Sequence, residues 1–293
     1  MLKRALCLFA LSAQLVNAQV NVAAAALVPA YIYPNTETTW QPLYTQIKNF
    51  PNVKFNVIIN TDSGPGTGAL PDTSYQREIL KLRTFKNVRL VGYVAVNYTN
   101  KALATVKAEV AKYASWPTAA KNTALSVDGI FFDEAPTAAA AAALNYMRSA
   151  TQYTRTLATS SSGGFGLGAS PYVVTNPGYP PARPYLYNAT SPAVVPDLSL
   201  VYEQSLGNWT EHQSEIDELV WALDVDDARL AVMLHDVPKA TTCGDVGALV
   251  DGLKGNTGVQ TLWFTDDADY QVWPDAVLWA RFLKAFASGG SAC

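Results

Sequence analysis

The sequence predicts an α/β fold, a single (β/α)8 TIM-type barrel. Eight short apolar runs alternate with helical segments along the chain. Gly, Pro, Asn and Asp bound these runs, as is typical of buried parallel strands. The 293 residues, less a short leader, are also close to the ~250 that such a barrel needs. A doubly wound open sheet is the alternative, but no Gly-x-Gly-x-x-Gly follows the first strand.

Each predicted strand is rich in aliphatic or β-branched residues and ends near a polar residue or a turn. In chain order the predicted strands cover residues 25–33, 53–60, 88–96, 129–133, 164–170, 198–203, 230–235 and 259–265.

The predicted helices lie between these strands, at residues 37–49, 73–86, 103–116, 137–156, 209–223, 245–254 and 274–287. Asp72 and Thr73 are a helix N-terminal signal, and the six alanines of residues 138–143 favour a helix strongly. The fifth strand is the exception, because a Pro-rich loop at residues 179–196 follows it. No linker divides the chain, so we expect one domain from residue 19 to residue 293.

The first 18 residues resemble a secretory signal peptide, with Lys3 and Arg4 before an apolar run and Ala18 at the expected cleavage point. The run is shorter than the ~20 residues that span a bilayer. We therefore expect a secreted, extracellular monomer without a membrane segment after cleavage. A net charge of -3 with 21 Lys and Arg argues against a nucleic-acid partner, which requires a dense positive field.

Two cysteines outside the leader, Cys243 and Cys293, are expected to form a disulfide in an oxidising compartment. Asn97, Asn188 and Asn208 begin N-glycosylation sequons. The chain has two isolated histidines and no Cys/His ligand spacing, so we expect neither a metal nor a cofactor.

Polar residues gather where the predicted strands end, which is where barrels of this class bind ligands. The sharpest case is Asp133-Glu134, directly after an apolar strand. Burial and repulsion between adjacent acids raise one pKa into the range of a general acid. The alternative is that one of the two acids caps the following helix.

Glu203 ends the sixth predicted strand in the same way. Two carboxylates on either side of a glycosidic bond are what glycoside hydrolysis requires, ~5–5.5 Å apart for retention and ~6.5–9.5 Å for inversion. The alternative for Glu203 is a salt bridge with Arg183 or Arg229.

Further residues near strand ends are candidates for holding a substrate, although each aromatic residue among them is as readily explained by packing. They are Tyr33, Asn60, Tyr93, Tyr98, Asn176, Trp263 and Asp266. The loop after Asn60 lacks the Gly-Lys-Ser/Thr of a nucleotide site, and no Gly-x-Ser-x-Gly indicates a serine hydrolase.

An ordered set of short motifs gives the chain a family resemblance. The motifs are Ile32-Tyr-Pro34, Asn60 with Ser63-Gly-Pro-Gly66, Gly92-Tyr-Val94, residues 127–134, Asn176-Pro-Gly178 and Tyr202-Glu203. Together they resemble the spherulation-specific family 4 (spherulin 4-like) proteins, which include glycoside hydrolase family 135. Thr61, Asp62 and Val96 depart from the family's usual residues.

The resemblance implies a secreted (β/α)8 enzyme that cleaves inside α-1,4-linked N-acetylgalactosamine stretches of galactosaminogalactan, with Asp133, Glu134 and Glu203 as its essential acids. Two mechanisms stay open at this point. Glu203 and one acid of the pair act as nucleophile and acid/base, or Asp133 orients the substrate's acetamido group while Glu134 is the acid/base. The rival function is a non-catalytic, wall- or spore-associated carbohydrate-binding barrel.

Overall fold

The structure, a computed structural model, describes residues 24–159 and 164–288. Eight parallel strands pair in chain order, and β8 pairs with β1 to close the barrel. This confirms the predicted fold class. The strands are β1 Ala25–Ala30, β2 Lys54–Ile59, β3 Val88–Ala95, β4 Gly129–Asp133, β5 Tyr172–Thr175, β6 Leu198–Ser205, β7 Leu230–His235 and β8 Thr261–Phe264.

The helices of the described residues surround the barrel. They are α1 Gln41–Asn49, α2 Thr73–Leu82, α3 Leu103–Ala119, α4 Ala141–Thr156, α5 Leu206–Trp221, α6 Cys243–Thr257 and α7 Ala276–Ser288. As predicted, β5 and β6 are joined without an α-helix, by a loop with short 3-10 turns at Arg183–Tyr185 and Pro192–Val194.

The prediction of a fifth strand at residues 164–170 is wrong, because β5 begins at Tyr172. Gly164, Gly166 and Gly168 all have positive φ angles, which extended strands do not use. The β-branched run that starts at Tyr172 pairs with β4 instead. The glycine-rich segment is therefore a looped approach to the strand.

The strands are almost continuously buried, as expected where helices cover the outer face of a parallel sheet. Aromatic side chains fill the space between strands and helices. Trp263 of β8 meets Trp279 of α7 edge-on at 5.2 Å, and Phe264 lies 4.6 Å from Phe282 between ring centroids. This packing fixes the C-terminal helix against the strand that closes the barrel.

Two carboxylates hold the amino-terminal ends of the strands. Asp128, before β4, forms a two-oxygen salt bridge with Arg83 and accepts the backbone N–H of Leu90 at 2.8 Å. Asp197, before β6, pairs with Arg155 and accepts the N–H of Val173 at 2.7 Å. These acids join neighbouring strands at the end opposite to the predicted site.

Several sequence predictions lie wholly or partly outside the described residues. The leader (1–18) does, and so does Cys293, so secretion and the disulfide stay predictions. Of the sequon asparagines, Asn97 and Asn208 are exposed and Asn188 is half-buried. Within residues 24–159 and 164–288, the structure contains no helix with the length and apolar character needed to cross a membrane.

Candidate active site

One amide links the two strands that carry the predicted acids. Asn176 lies one residue past β5, and its Nδ2 donates to Oδ1 of Asp133 at 2.8 Å and to Oε2 of Glu203 at 2.6 Å. Because a single nitrogen contacts both oxygens, the two carboxylates are nearer to the ~5–5.5 Å spacing of retaining glycosidases than to the ~6.5–9.5 Å of inverting ones.

Asp133 is hydrogen-bonded on both of its carboxylate oxygens. Its second oxygen accepts the hydroxyl of Tyr93 at 2.7 Å, so it receives a side-chain donor on each oxygen. Tyr93 keeps its proton, since burial, followed by the charge of Asp133, raises the pKa of its phenol.

Glu203 has a different environment. Burial raises the pKa of its carboxyl above the usual value, and the charge of Asp133 adds to the effect. The hydrogen bond from Asn176 opposes the rise without cancelling it. Glu203 is thus an acid with raised proton affinity, as expected of the proton donor in an acid/base pair.

A bulge in β6 places Glu203. Leu200 pairs with Ala231 and Tyr202 with Val232, so Val201 is an extra residue in the ladder. Such bulges bend a strand and redirect the side chains that follow. The backbone N–H of Glu203 then bonds to the carbonyl of Gly178 at 3.1 Å, joining β6 to the loop after Asn176.

Glu134 follows β4 with a left-handed backbone (φ 55°), and Tyr98 opposite it has φ 50°. The N–H of Tyr98 donates to the carbonyl of Glu134 at 2.7 Å, which holds the two strained residues together. Both side chains line a pocket of about 310 Å³, with Asp133, Asn176 and Glu203. Non-glycine residues in this conformation concentrate at functional sites.

The structural alternatives for the three acids fail. Helix α4 begins after Ala140 with no side-chain cap, so neither Asp133 nor Glu134 caps it. Arg183 pairs with Asp224, and Arg229 donates to backbone carbonyls, so neither arginine partners Glu203. The acids are therefore free of those structural roles.

The other predicted substrate residues divide between the pocket and its surroundings. Tyr98 and Asn176 line the pocket, and Tyr93 supports it through Asp133. Tyr33 is exposed but packs on Tyr75, away from the acids.

Three predicted residues have structural roles instead. Asn60 accepts the N–H of Gly64 at 3.0 Å and so shapes its own loop. Asp266 pairs with Lys239 at 3.2 Å and accepts the N–H of Asp275 at 2.6 Å. Trp263 was predicted to hold substrate, but its side chain is 1% exposed and packs against α7. Alternate residues of a strand point to opposite sides of the sheet, and Trp263 lies on the side that faces the helices.

Two tyrosines of the site were not predicted. Tyr31, just after β1, lies edge-on to both Tyr93 (5.8 Å) and Tyr270 (6.2 Å). The buried Tyr270 hydroxyl makes no hydrogen bond of regular geometry, yet burial and then the charge of Glu203 raise its pKa. Tyr270 also has a left-handed backbone (φ 55°). The only sequence signal that could have found these tyrosines is that Tyr31 follows β1 and Tyr270 follows β8. They lie near the acids because the barrel closes.

In the described part of the chain, no three His, Cys, Asp or Glu side chains are grouped so as to hold a metal ion. The arrangement that is present offers a carboxylate hydrogen-bonded on both oxygens, a carboxyl with raised proton affinity and a third acid at the pocket wall. These groups could transfer a proton, and one of them could also attack a cationic centre or stabilise its charge.

Known proteins share this architecture. Sph3 of Aspergillus clavatus, solved in complex with GalNAc, superposes with a TM-score of 0.79 at 34% identity, covering 90% of this chain and 98% of that one. A tri-modular GH5 endo-β-1,4-glucanase of Bacillus licheniformis aligns with a TM-score of 0.53 at 11% identity, covering 90% and 59%, and shows the fold alone.

Sequence comparison gives the family directly. Spherulin-4 of Physarum polycephalum is 31% identical over 188 residues, or 63% of this chain and 48% of that protein, so the chain matches about half the length of this curated relative. The model of spherulation-specific family 4 matches residues 25–286. This chain therefore belongs to the spherulation-specific family 4 (Spherulin4).

Proposed function

We propose that the protein is a secreted, endo-acting glycoside hydrolase that cleaves α-1,4-linked N-acetylgalactosamine in a galactosaminogalactan-type polysaccharide. The observation that carries the proposal is the pair of mouth carboxylates linked by Asn176, one hydrogen-bonded on both oxygens and one with a raised pKa. The pocket above them opens to solvent, where a polysaccharide chain can enter, and polar groups line it.

The relatives support a carbohydrate substrate. Sph3, which is 34% identical over nearly its whole length, was crystallised with GalNAc. An N-acetylated galactosamine polymer is consistent with that ligand and with the family resemblance of the motifs around Asp133 and Glu203.

The geometry favours one of the two mechanisms. Protonated Glu203 donates its proton to the glycosidic oxygen, and Asp133, held by Tyr93 and Asn176, attacks the anomeric carbon. Glu203, now ionised, then activates the water that releases the product. Glu134, which has no side-chain hydrogen bond within the described residues, contacts the substrate from the pocket wall.

The substrate-assisted mechanism makes a different prediction for the same acids. There Glu134 transfers the proton and the acetamido oxygen attacks, so a deacetylated substrate is inert and Glu134→Gln is as damaging as Glu203→Gln. With Asp133 as the nucleophile, deacetylation slows the reaction without abolishing it, and Glu203→Gln is the more severe change.

The experiment is digestion of a purified α-1,4-N-acetylgalactosamine polymer with the products resolved by size over time. An endo-acting enzyme releases oligosaccharides of several lengths from the start. Release of monosaccharide alone would contradict endo action. Binding without any release would identify the protein as a carbohydrate-binding barrel and overturn the proposal.

A further inference from the structure

We propose that the barrel carries a second glycan-binding site, at the end opposite to the catalytic pocket, in a groove beside Trp221. This inference does not depend on the proposed hydrolysis. A single exposed indole borders a wide polar groove formed by the C-terminal ends of α5 and α6.

Trp221 differs from the other tryptophans of the chain, all of which lie in the described residues. It is the last residue of α5, and its side chain is 85% exposed. Trp40, Trp116, Trp209, Trp263 and Trp279 are at most 2% exposed, and Trp273 packs on Trp279. Tryptophan is normally well buried, so a fully presented indole indicates contact with something outside the chain.

The space beside this ring can hold a ligand. The groove has a volume of about 720 Å³, at the upper part of the range of small-molecule sites. Its far wall is the end of α6, from Gly255 to Gly258. A side chain added at Gly255 would meet nothing within 4 Å, so this wall leaves the groove open.

Polar groups stand around the indole. Asp224 is held at the rim by Arg183, whose Nη2 lies 3.0 Å from its carboxylate. Asp227 makes no side-chain hydrogen bond within the described residues, and burial followed by the charge of Asp226 raises the pKa of its carboxyl. Asn256 donates to Asp217 at 3.1 Å, which orients its amide at the groove wall.

One aromatic ring with acceptors at its rim matches a pyranose. A sugar has an apolar C–H face that can cover an indole and a border of hydroxyls that carboxylate and amide oxygens accept. A protein interface would require a broader apolar patch, whereas Val220 beside Trp221 is buried. The carboxylates repel anionic polymers, so the ligand is a neutral glycan or one with protonated amino groups, which indole also attracts.

The position of the groove gives it a separate role. Helix α5 begins just past β6 at the catalytic end and runs to Trp221 at the other end of the barrel. A chain held in the groove therefore does not cover Asp133 or Glu203. Two sites on one polymer raise the local concentration of substrate at the catalytic pocket without any new contact there.

The test measures polymer binding by affinity electrophoresis in the full chain carrying Glu203→Gln, so that no hydrolysis intervenes. Trp221→Ala is compared with Leu219→Ala, which removes a 37% exposed side chain of the same helix. The probes are α-1,4-N-acetylgalactosaminan, its partly deacetylated form and polygalacturonate. We expect Trp221→Ala to weaken binding of one or both galactosamine polymers by about 10-fold, and Leu219→Ala to bind like its parent.

Equal binding by the Trp221→Ala and Leu219→Ala variants would overturn the proposal, as would Trp221-dependent binding of polygalacturonate. Light scattering of the parent at several concentrations supplies a further check. A dimer that Trp221→Ala dissociates would assign the groove to a second copy of the chain and also overturn it. Trp221-dependent binding in a wild-type protein that releases no sugar would leave this inference standing while the proposed hydrolysis fails.

Discussion

At the scale of single residues, the chemistry of the site depends on Asn176. Its amide nitrogen serves both carboxylates, and its amide oxygen accepts the N–H of Gly178 at 2.9 Å. One side chain therefore sets the distance between Asp133 and Glu203 and shapes the loop that supports Glu203. It acts as a positioning residue as well as a wall of the pocket.

Replacing Asn176 tests this role through the pH dependence. Asn176→Ala removes a hydrogen bond that lowers the pKa of Glu203, so that pKa rises further. If protonated Glu203 is the acid, the basic limb of the kcat/KM profile moves to higher pH, and the rate falls about 10- to 100-fold. Thr175→Val, whose hydroxyl bonds Ser199 and no acid, is the control and should keep the wild-type limb. A basic limb that does not move would contradict the role of Asn176.

Glu203 also bears on stability. Its pKa is raised in the folded state, so its contribution is fully present below the unfolded pKa of ~4.3 and is lost as the pH rises through the folded pKa. Above the unfolded pKa, ionisation of Glu203 therefore favours the unfolded state. Glu203→Gln should therefore have a higher melting temperature than wild type at pH 7, with a difference that disappears below about pH 4. A lower melting temperature at pH 7 would show that Glu203 supports the fold.

The location of a residue could be predicted from the sequence where its position along a strand decides that location. Asp133, Glu134 and Glu203 all lie at the pocket, because the carboxyl ends of the strands share one end of the barrel. The prediction for Trp263 failed because β8 has only four residues, all apolar or β-branched, and such a short run does not show which side chains face the helices. Tyr31 and Tyr270 are far apart in the chain, and no local pattern shows that they meet.

At the scale of elements, the pairing of β4 with β5 brings Asn176 beside Asp133. Phe132 pairs with Thr175, so the next residue of each strand is the hydrogen-bonded pair of the site. Gly129 is the first residue of β4 to pair with β5, opposite Tyr172. A Cβ atom at Gly129 would lie 1.8 Å from the carbonyl oxygen of Tyr172. The close approach of the two strands requires glycine at this position.

Gly129→Ala should consequently separate β4 from β5. Overpacking against a backbone carbonyl costs on the order of 1–3 kcal/mol or more, and each kcal/mol lowers the melting temperature by about 2–4 °C in a domain of this class. Gly252→Ala, inside α6 with nothing within 4 Å of the added carbon, is the control and should be neutral or stabilising. Equal melting temperatures for Gly129→Ala and wild type would contradict the tight pairing.

The elements themselves were largely predictable. β4 and β7 begin and end at the predicted residues. Charged residues or glycines flank these two apolar runs and so mark both ends of each strand. The fifth strand was misplaced because hydrophobic character alone does not reveal the positive φ angles of Gly164, Gly166 and Gly168. The missing helix between β5 and β6 followed from the prolines of that segment.

At the scale of the whole molecule, the two ends of the barrel are built differently. The amino-terminal end is fastened by Arg83–Asp128 and Arg155–Asp197. The carboxyl-terminal end, with the candidate site, gathers most of the left-handed non-glycine residues of the described chain: Ser63, Asn97, Tyr98, Thr99, Glu134, Asp236 and Tyr270. The first end stabilises the closed ring, and the second concentrates strain where ligands bind.

We propose that Asp133, Glu134 and Glu203 form the machinery of a glycosidase, and the release of reducing ends tests this role. Reducing ends released from an α-1,4-N-acetylgalactosamine polymer are counted for wild type and for Asp133→Asn, Glu134→Gln and Glu203→Gln, each confirmed as folded. Glu218→Gln, an exposed acid on α5, is the matched control. We predict full activity in the control and losses of about 10²- to 10⁴-fold for Asp133→Asn and Glu203→Gln, with Glu134→Gln also reduced. Wild-type release by all three variants, or no release by wild type itself, would contradict the account.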